Sequence, residues 1–135
     1  MTTDSHETHR QQAHHVSDPL IEIDLHAELA AVRGGDAYST ADHAAHTISK
    51  QSCVRVVLIA FKTGGRLHEH HADGPITVQG LEGTVNFTAE NRTIRLTPGM
   101  LITLASGMAH SAEAIDESAF LLTIGEIASP NDVTR

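Results

Sequence analysis

Residues 64–71, with the sequence GGRLHEHH, place three histidines directly behind a pair of glycines. A second stretch, residues 99–110 (GMLITLASGMAH), contains two glycines and ends at a further histidine. Alternate residues of a β-strand share one face, so His68 and His70 are predicted to point into one interior, where His110 can join them. Neutral imidazole is a common protein ligand for zinc, iron, copper and nickel. These three side chains are therefore a candidate metal site.

Composition and charge restrict the class of protein. The 135 residues suffice for one domain with a hydrophobic core, and because only 3% of them are aromatic the core must be largely aliphatic. Seventeen acidic residues against nine basic ones give a net charge of -8, which predicts no nucleic-acid partner. No apolar run approaches the roughly 20 residues of a membrane span, so no membrane association is expected.

The chain has a single cysteine, Cys53, which cannot form an internal disulfide. This is consistent with a cytoplasmic protein. Cys53 begins an apolar run, so a buried structural thiol is predicted there.

The chain divides into four predicted parts. Residues 1–18 resemble a disordered tail, rich in histidine and nearly free of apolar residues, that could bind metal adventitiously. Residues 19–46 are predicted to hold a short strand at 19–24, a helix that Asp24 caps and Gly34-Gly35 ends, and a loop. The remaining parts are a barrel over residues 47–128 and a C-terminal tail over 129–135.

Beyond residue 46 the pattern is that of many short strands separated by turn residues. Such regular spacing predicts an all-β sandwich or barrel rather than an α/β sheet. The predicted strands cover residues 47–50, 54–62, 66–70, 76–81, 84–88, 93–96, 101–104, 111–115 and 119–125.

The segment from about residue 54 to 124 resembles a cupin, a family of small jelly-roll β-barrels with two sequence motifs. The second family motif reads Gly, five residues, Pro, one residue, Gly, two residues, His, three residues, Asn. The residues at those places are Gly99, Ala105, Gly107, His110 and Ala114, so the Pro and the Asn are replaced. The resemblance implies an all-β cupin-type jelly-roll barrel, here with a short N-terminal helix.

The first family motif reads Gly, five residues, His-x-His, three or four residues, Glu, six residues, Gly, and it admits two alignments. Counted without gaps from Gly64, it puts His70 on the first His position, Ala72 on the second and Ile76 on the Glu. Aligned on the visible HEH sequence, it makes His68 and His70 the pair. Both alignments use even-numbered positions and predict one inward face, with His71 on the opposite face unless residues 73–75 distort the strand.

The resemblance implies a divalent transition metal (Fe, Mn, Ni, Cu or Zn) held by His68, His70 and His110, without the usual Glu ligand. Such a three-His site is similar to that of cupin dioxygenases acting on small organic molecules, and it argues against isomerases and decarboxylases that need the carboxylate. Two further residues are candidates for substrate binding: Gln79, if its strand bulges, and Arg66, if it reaches the barrel mouth rather than the surface.

Two alternatives to an enzyme stay open. The chain could be a non-catalytic cupin that binds or senses a small ligand, with or without metal, or a structural barrel without any metal. The family resemblance also implies a homodimer, since edge strands of such barrels commonly pair between subunits.

Overall fold

A computed structural model describes residues 15–126, which form two packed β-sheets and two short helices. The helices are α1 (Leu25–Arg33) and α2 (Asp36–Ser39). The strands are β1 (His43–Lys50), β2 (Val54–Phe61), β3 (Arg66–His70), β4 (Ile76–Glu82), β5 (Val85–Ala89), β6 (Arg92–Leu96), β7 (Leu101–Leu104), β8 (His110–Ala114) and β9 (Ser118–Gly125). The predicted strands of the barrel are confirmed to within one or two residues at most ends.

All strand pairs are antiparallel. One sheet has the order β1-β2-β9-β4-β7 and the other the order β3-β8-β5-β6. The β5–β6 hairpin turns through Glu90 and Asn91, both at positive φ, as a two-residue turn between twisted strands requires. The predicted all-β class is confirmed.

The main core lies between the two sheets. Its largest side chains are three phenylalanines, Phe61, Phe87 and Phe120, each at most 2% exposed. The rings of Phe61 and Phe120 lie 5.3 Å apart. The rest of this core is aliphatic, in keeping with the composition of the chain.

A second core lies on the outer side of the five-stranded sheet, beneath α1. The Asp24 side chain accepts hydrogen bonds from the backbone N–H of His26 and Ala27, and α1 ends at Gly34, as predicted. Leu29 of α1 packs there with Leu58 of β2. Strand β2 is therefore buried on both faces, which explains its continuous apolar sequence.

Three local predictions are wrong. Residues 19–24 form no strand, and Leu20 is 88% exposed. Residues 36–46 are not a loop, because they contain α2 and the start of β1, which pairs with β2 from His43 onward. Cys53 is exposed in the turn between β1 and β2 rather than buried.

The predicted tails fall largely outside the described residues. Residues 1–14 and 127–135 are not described, so the predicted domain limits there stay predictions. Residues 15–18 form a turn, and Val16 accepts a hydrogen bond of 2.7 Å from the Lys50 amide. Within the described part of the chain, no helix has the length and hydropathy to cross a membrane.

Candidate functional site: a cleft between the sheets

A cleft of about 1020 Å³ opens between the two sheets at one end of the sandwich. Its walls are largely aliphatic, from β2, β4 and β9. Most polar groups fall into two sets: a histidine set formed by His70, His71 and His110, and a charged rim formed by Lys50, Arg55 and Glu126. Ser52 and Asp73 also line the cleft. The cleft thus brings three imidazoles together with three charged side chains.

His70 and His110 are cross-strand neighbours. They face each other in the β3–β8 register, and their ring centroids lie 4.4 Å apart at an interplanar angle of 62°. His110 is 5% exposed, and its ring stacks on Phe87 at 5.5 Å. The two rings thus meet at the cleft, with His110 buried and His70 exposed.

Both rings are held by the backbone through the same nitrogen. Nδ1 of His70 donates to the carbonyl of His68 at 2.8 Å, and Nδ1 of His110 donates to the carbonyl of Met108 at 3.0 Å. Because a carbonyl accepts but never donates, each neutral ring carries its proton on Nδ1 and a lone pair on Nε2. That tautomer lets Nε2 accept a hydrogen bond from a ligand or coordinate a metal.

Burial lowers the pKa of His110 below its ordinary value, and the neighbouring His70 and His71 lower it further. The hydrogen bond to the Met108 carbonyl opposes this shift without reversing it. His110 is therefore neutral at pH 7 and presents an acceptor to the cleft.

His68 is not brought to the same site. A register shift lies between Leu67 and His70 in the β3–β8 pair, and it reverses which residues of β3 face inward. Leu67 packs against the main core, whereas His68 lines a shallow polar depression on the outer face of the four-stranded sheet. The predicted shared face of His68 and His70 therefore fails, because strict alternation does not survive a bulge.

The two predicted substrate-binding residues also lie outside the cleft. Arg66 is exposed on the outer face, with its Nη2 3.6 Å from Oε1 of Glu113. Gln79 is exposed and pairs with Leu101 and Leu121, and the irregularity in β4 comes after it rather than at it.

Sequence reasoning left one residue of the cleft open and missed others. His71 lines the cleft, whereas strand alternation placed it on the opposite face unless residues 73–75 distort the strand. Arg55 lines it too, because it shares the inward face of β2 with Val57 and Ile59. Arg55, Val57 and Ile59 occupy alternate positions of one apolar strand. This spacing, which puts all three on the same face, is the signal that could have identified Arg55.

The described residues do not form a ready metal centre. Within residues 15–126, no three His, Cys, Asp or Glu side chains are grouped so as to hold a metal ion. Ile76, at the place of the usual Glu ligand, is 3% exposed and lies in the main core. The residues present thus offer two ligand-ready imidazoles, and this falls short of the three ligands that a catalytic metal site normally has.

Comparison with known proteins relates the chain to ligand-binding barrels. The family model described as the AraC-like ligand-binding domain matches residues 61–125, just under half of the chain, and this span includes the three cleft histidines. Among curated proteins, no significant match is found.

Solved structures with the same fold are numerous. A cupin superfamily protein of Desulfitobacterium hafniense DCB-2 is 16% identical, with a TM-score of 0.61 over 63% of this chain and 78% of that one. A cupin-2 domain protein of Shewanella frigidimarina is also 16% identical, with a TM-score of 0.61 over 77% and 94%.

One similar structure is that of an enzyme. Salicylate 1,2-dioxygenase of Pseudoaminobacter salicylatoxidans, in an adduct with gentisate, is 15% identical, with a TM-score of 0.72 over 82% of this chain. The match covers 34% of the dioxygenase chain. At these identities, the three structures establish the fold.

Proposed function

Because this chain is a small cupin-fold protein, we propose that it binds a small organic molecule in the cleft between its two sheets, with His70 and His110 as hydrogen-bond acceptors. The observation that carries this proposal is the pairing of two imidazoles, each with Nδ1 held by a backbone carbonyl, beside aliphatic side chains of the cleft. The matched AraC-like ligand-binding family supports the same class of function.

The size and lining of the cleft fit a small organic ligand. Pockets for such ligands are usually about 300–1,000 Å³, mostly apolar, with a few convergent polar groups. The cleft, at about 1020 Å³, lies at the upper end of that range. Aliphatic side chains such as Val57 and Leu122 supply the apolar surface, and the histidines fix the orientation of the ligand.

A binding or sensing role is favoured over catalysis by what surrounds the histidines. Ile76 replaces a carboxylate that could serve as ligand or base, and His68 lies on the other face of its sheet. The cleft therefore contains acceptors that recognise a ligand, whereas its three histidines are not grouped so as to hold a metal ion among the described residues.

Two exposed histidines of one strand provide a matched test. His70→Ala is expected to weaken the binding of small hydroxylated compounds to the full-length chain about tenfold, the usual value of one hydrogen bond to a ligand. His68→Ala, two residues away on the outer face, should leave the affinity unchanged. Calorimetry or ligand-observed NMR measures both. Equal losses in the two variants would contradict the proposed site.

A second candidate function is that of a metal-dependent dioxygenase acting on a small organic molecule. The Nε2 lone pairs of His70 and His110 favour it, as does the fold shared with a salicylate dioxygenase, and His71 lines the same cleft. A bound Fe, Mn, Ni, Cu or Zn ion would have to recruit a third ligand on binding.

Metal loading of the full-length chain tests this candidate, provided that the tail histidines His6, His9, His14 and His15 are replaced by glutamine to remove adventitious sites. About one equivalent of metal per chain, lost in His70→Ala and kept in His68→Ala, would support it, and oxygen uptake with hydroxylated aromatic or enolic compounds would extend it to catalysis. Metal retained by His70→Ala would exclude a centre at this cleft.

The expected homodimer and cytoplasmic location belong to the proposal as well. In the described part of the chain, β1 and β7 each have one neighbouring strand, so each offers an edge for pairing with a second copy. Sedimentation at micromolar concentration tests the dimer, and a monomer there would contradict it.

A further inference from the structure

Two cations and one carboxylate form the rim of the cleft. Nζ of Lys50 lies 2.6 Å from Oε1 of Glu126, and Nε of Arg55 lies 3.4 Å from Oε2 of the same carboxylate. One carboxylate is thus shared between two cations at the rim. The other carboxylate of the cleft, Asp73, forms no ion pair with either cation among the described residues.

Arg55 faces the interior of the sandwich rather than the outside. It shares its face of β2 with Val57 and Ile59, and it pairs with Lys50 on one side and Ile124 on the other. Its buried Nε contacts only the Glu126 carboxylate, at 3.4 Å and without the geometry of a hydrogen bond. A guanidinium has five donors in a rigid fork that matches a carboxylate, so this one retains unused capacity.

Glu126 is positioned to act as a replaceable partner. Its backbone N–H donates to the carbonyl of Cys53 at 2.8 Å, which fixes where the side chain begins. The hydrogen bond from Lys50 lowers the pKa of Glu126, so the carboxylate is ionised at neutral pH. Its side chain is 30% exposed, so it lies at the solvent boundary of the cleft.

We propose that the ligand of the cleft is a small organic anion whose carboxylate takes the place of Glu126 on Arg55 and Lys50. This inference rests on the proposed small-molecule function and specifies the class of ligand. Arg55 belongs to one sheet and the His70–His110 pair to the other, so the two sets bind different parts of one molecule.

The histidine set defines the second feature of that ligand. Because both Nε2 atoms are acceptors, the ligand must carry a donor, such as a hydroxyl group, where it meets the opposite sheet. The aliphatic wall between the two sets, including Leu122 and Ile124, suits a hydrocarbon or aromatic body. A hydroxycarboxylate with an apolar frame satisfies all three surfaces.

Matched probes on the full-length protein separate charge from shape. The probes are the three hydroxybenzoate isomers, the corresponding hydroxybenzamides, and benzoate. At least one hydroxybenzoate is expected to bind about tenfold or more tightly than its amide, because a hydrogen bond to an ionised group is the stronger one. Benzoate, which lacks the hydroxyl donor, should bind more weakly than that hydroxybenzoate.

Variants then assign the effect to the rim. Arg55→Gln should reduce the affinity for the acid to that for the amide and leave amide binding unchanged. Glu126→Gln should raise the affinity for the acid several-fold, because it removes the resident competitor; a merely structural Glu126 would give no gain. Arg95→Gln, at an exposed arginine of β6, is the control with the same change of charge.

The outcomes distinguish this inference from the function on which it rests. If acids and amides bind equally and both depend on His70, the cleft binds small molecules and the anion inference is overturned. A loss of acid affinity in Glu126→Gln would also overturn it. If no probe binds at millimolar concentration, the anion inference and the proposed function both fail.

Discussion

The tight turn between β4 and β5 allows a quantitative test of the packing at one end of the barrel. Gly83 has φ = +65°, and a Cβ built there would lie 2.3 Å from the carbonyl oxygen of Glu117 and 2.7 Å from Cβ of Ser118. A left-handed backbone costs a non-glycine residue about 1–2 kcal/mol, and forcing an extra carbon into a packed site costs about 1–3 kcal/mol more. Gly83→Ala is therefore expected to destabilise the protein by about 2–5 kcal/mol.

Gly99 provides the control. Its φ is +90°, yet a Cβ there would meet nothing within 4 Å, so Gly99→Ala should cost the backbone term alone, about 1–2 kcal/mol. Urea unfolding followed by far-UV circular dichroism measures both variants, since the chain has no tryptophan. Gly83→Ala should have the lower midpoint, by roughly 0.3–3 M for a difference of about 1–3 kcal/mol. Equal midpoints for the two variants would refute the close contact with the Glu117 segment.

Three further predictions address the site, the helix and the thiol. In metal-free protein, wild type should lose stability relative to His110→Gln as the pH falls below about 6.5, by at most about 1.4 kcal/mol per pH unit. The reason is that the pKa of His110 is lowered in the folded protein, so the unfolded chain binds the proton first. Urea titrations from about pH 7 to 5 test this, and parallel pH profiles of the two proteins would contradict it. Asp24→Ala should lower the free energy of unfolding by about 1 kcal/mol because α1 loses its N-terminal cap. Asp24→Asn keeps a capping side chain and should melt close to wild type, so equal melting temperatures for the two variants would argue against capping. Cys53 is exposed, so the native protein should react with a thiol reagent nearly as fast as the urea-unfolded chain; strong protection would show that the thiol is covered.

Regular alternation made most of the fold predictable from sequence. The limits of β3 and β7 match the predicted ones exactly as residues 66–70 and 101–104, because turn residues bracket both strands. The segment 19–24 misled the prediction, because alternation of apolar and polar residues marks an extended chain whether or not a partner strand is nearby. Residues 43–46 were missed as strand because the small and polar residues of this segment resemble a loop, and its pairing with β2 is not visible in its own pattern.

The candidate site was predictable in part. His70 and His110 meet because the motif spacing and the β3–β8 register agree. His68 was misplaced because a bulge leaves no reliable mark in the sequence, and one extra residue exchanges the two faces of a strand. The rim residues Lys50 and Glu126 are 76 positions apart in the sequence, so their contact is defined only by the assembled sheet.

The second core beneath α1 bears on which residues a stable fragment of this domain must contain. The span that matches the ligand-binding family begins at Phe61, yet Leu29 covers the outer side of the sheet at Leu58 and Ala60. A fragment trimmed to the matched span would lack β1 and most of β2 and would leave β9 with a bare apolar surface and an open edge. Such a fragment should self-associate, so the smallest autonomous unit extends back at least to Asp24, the residue that starts the covering helix.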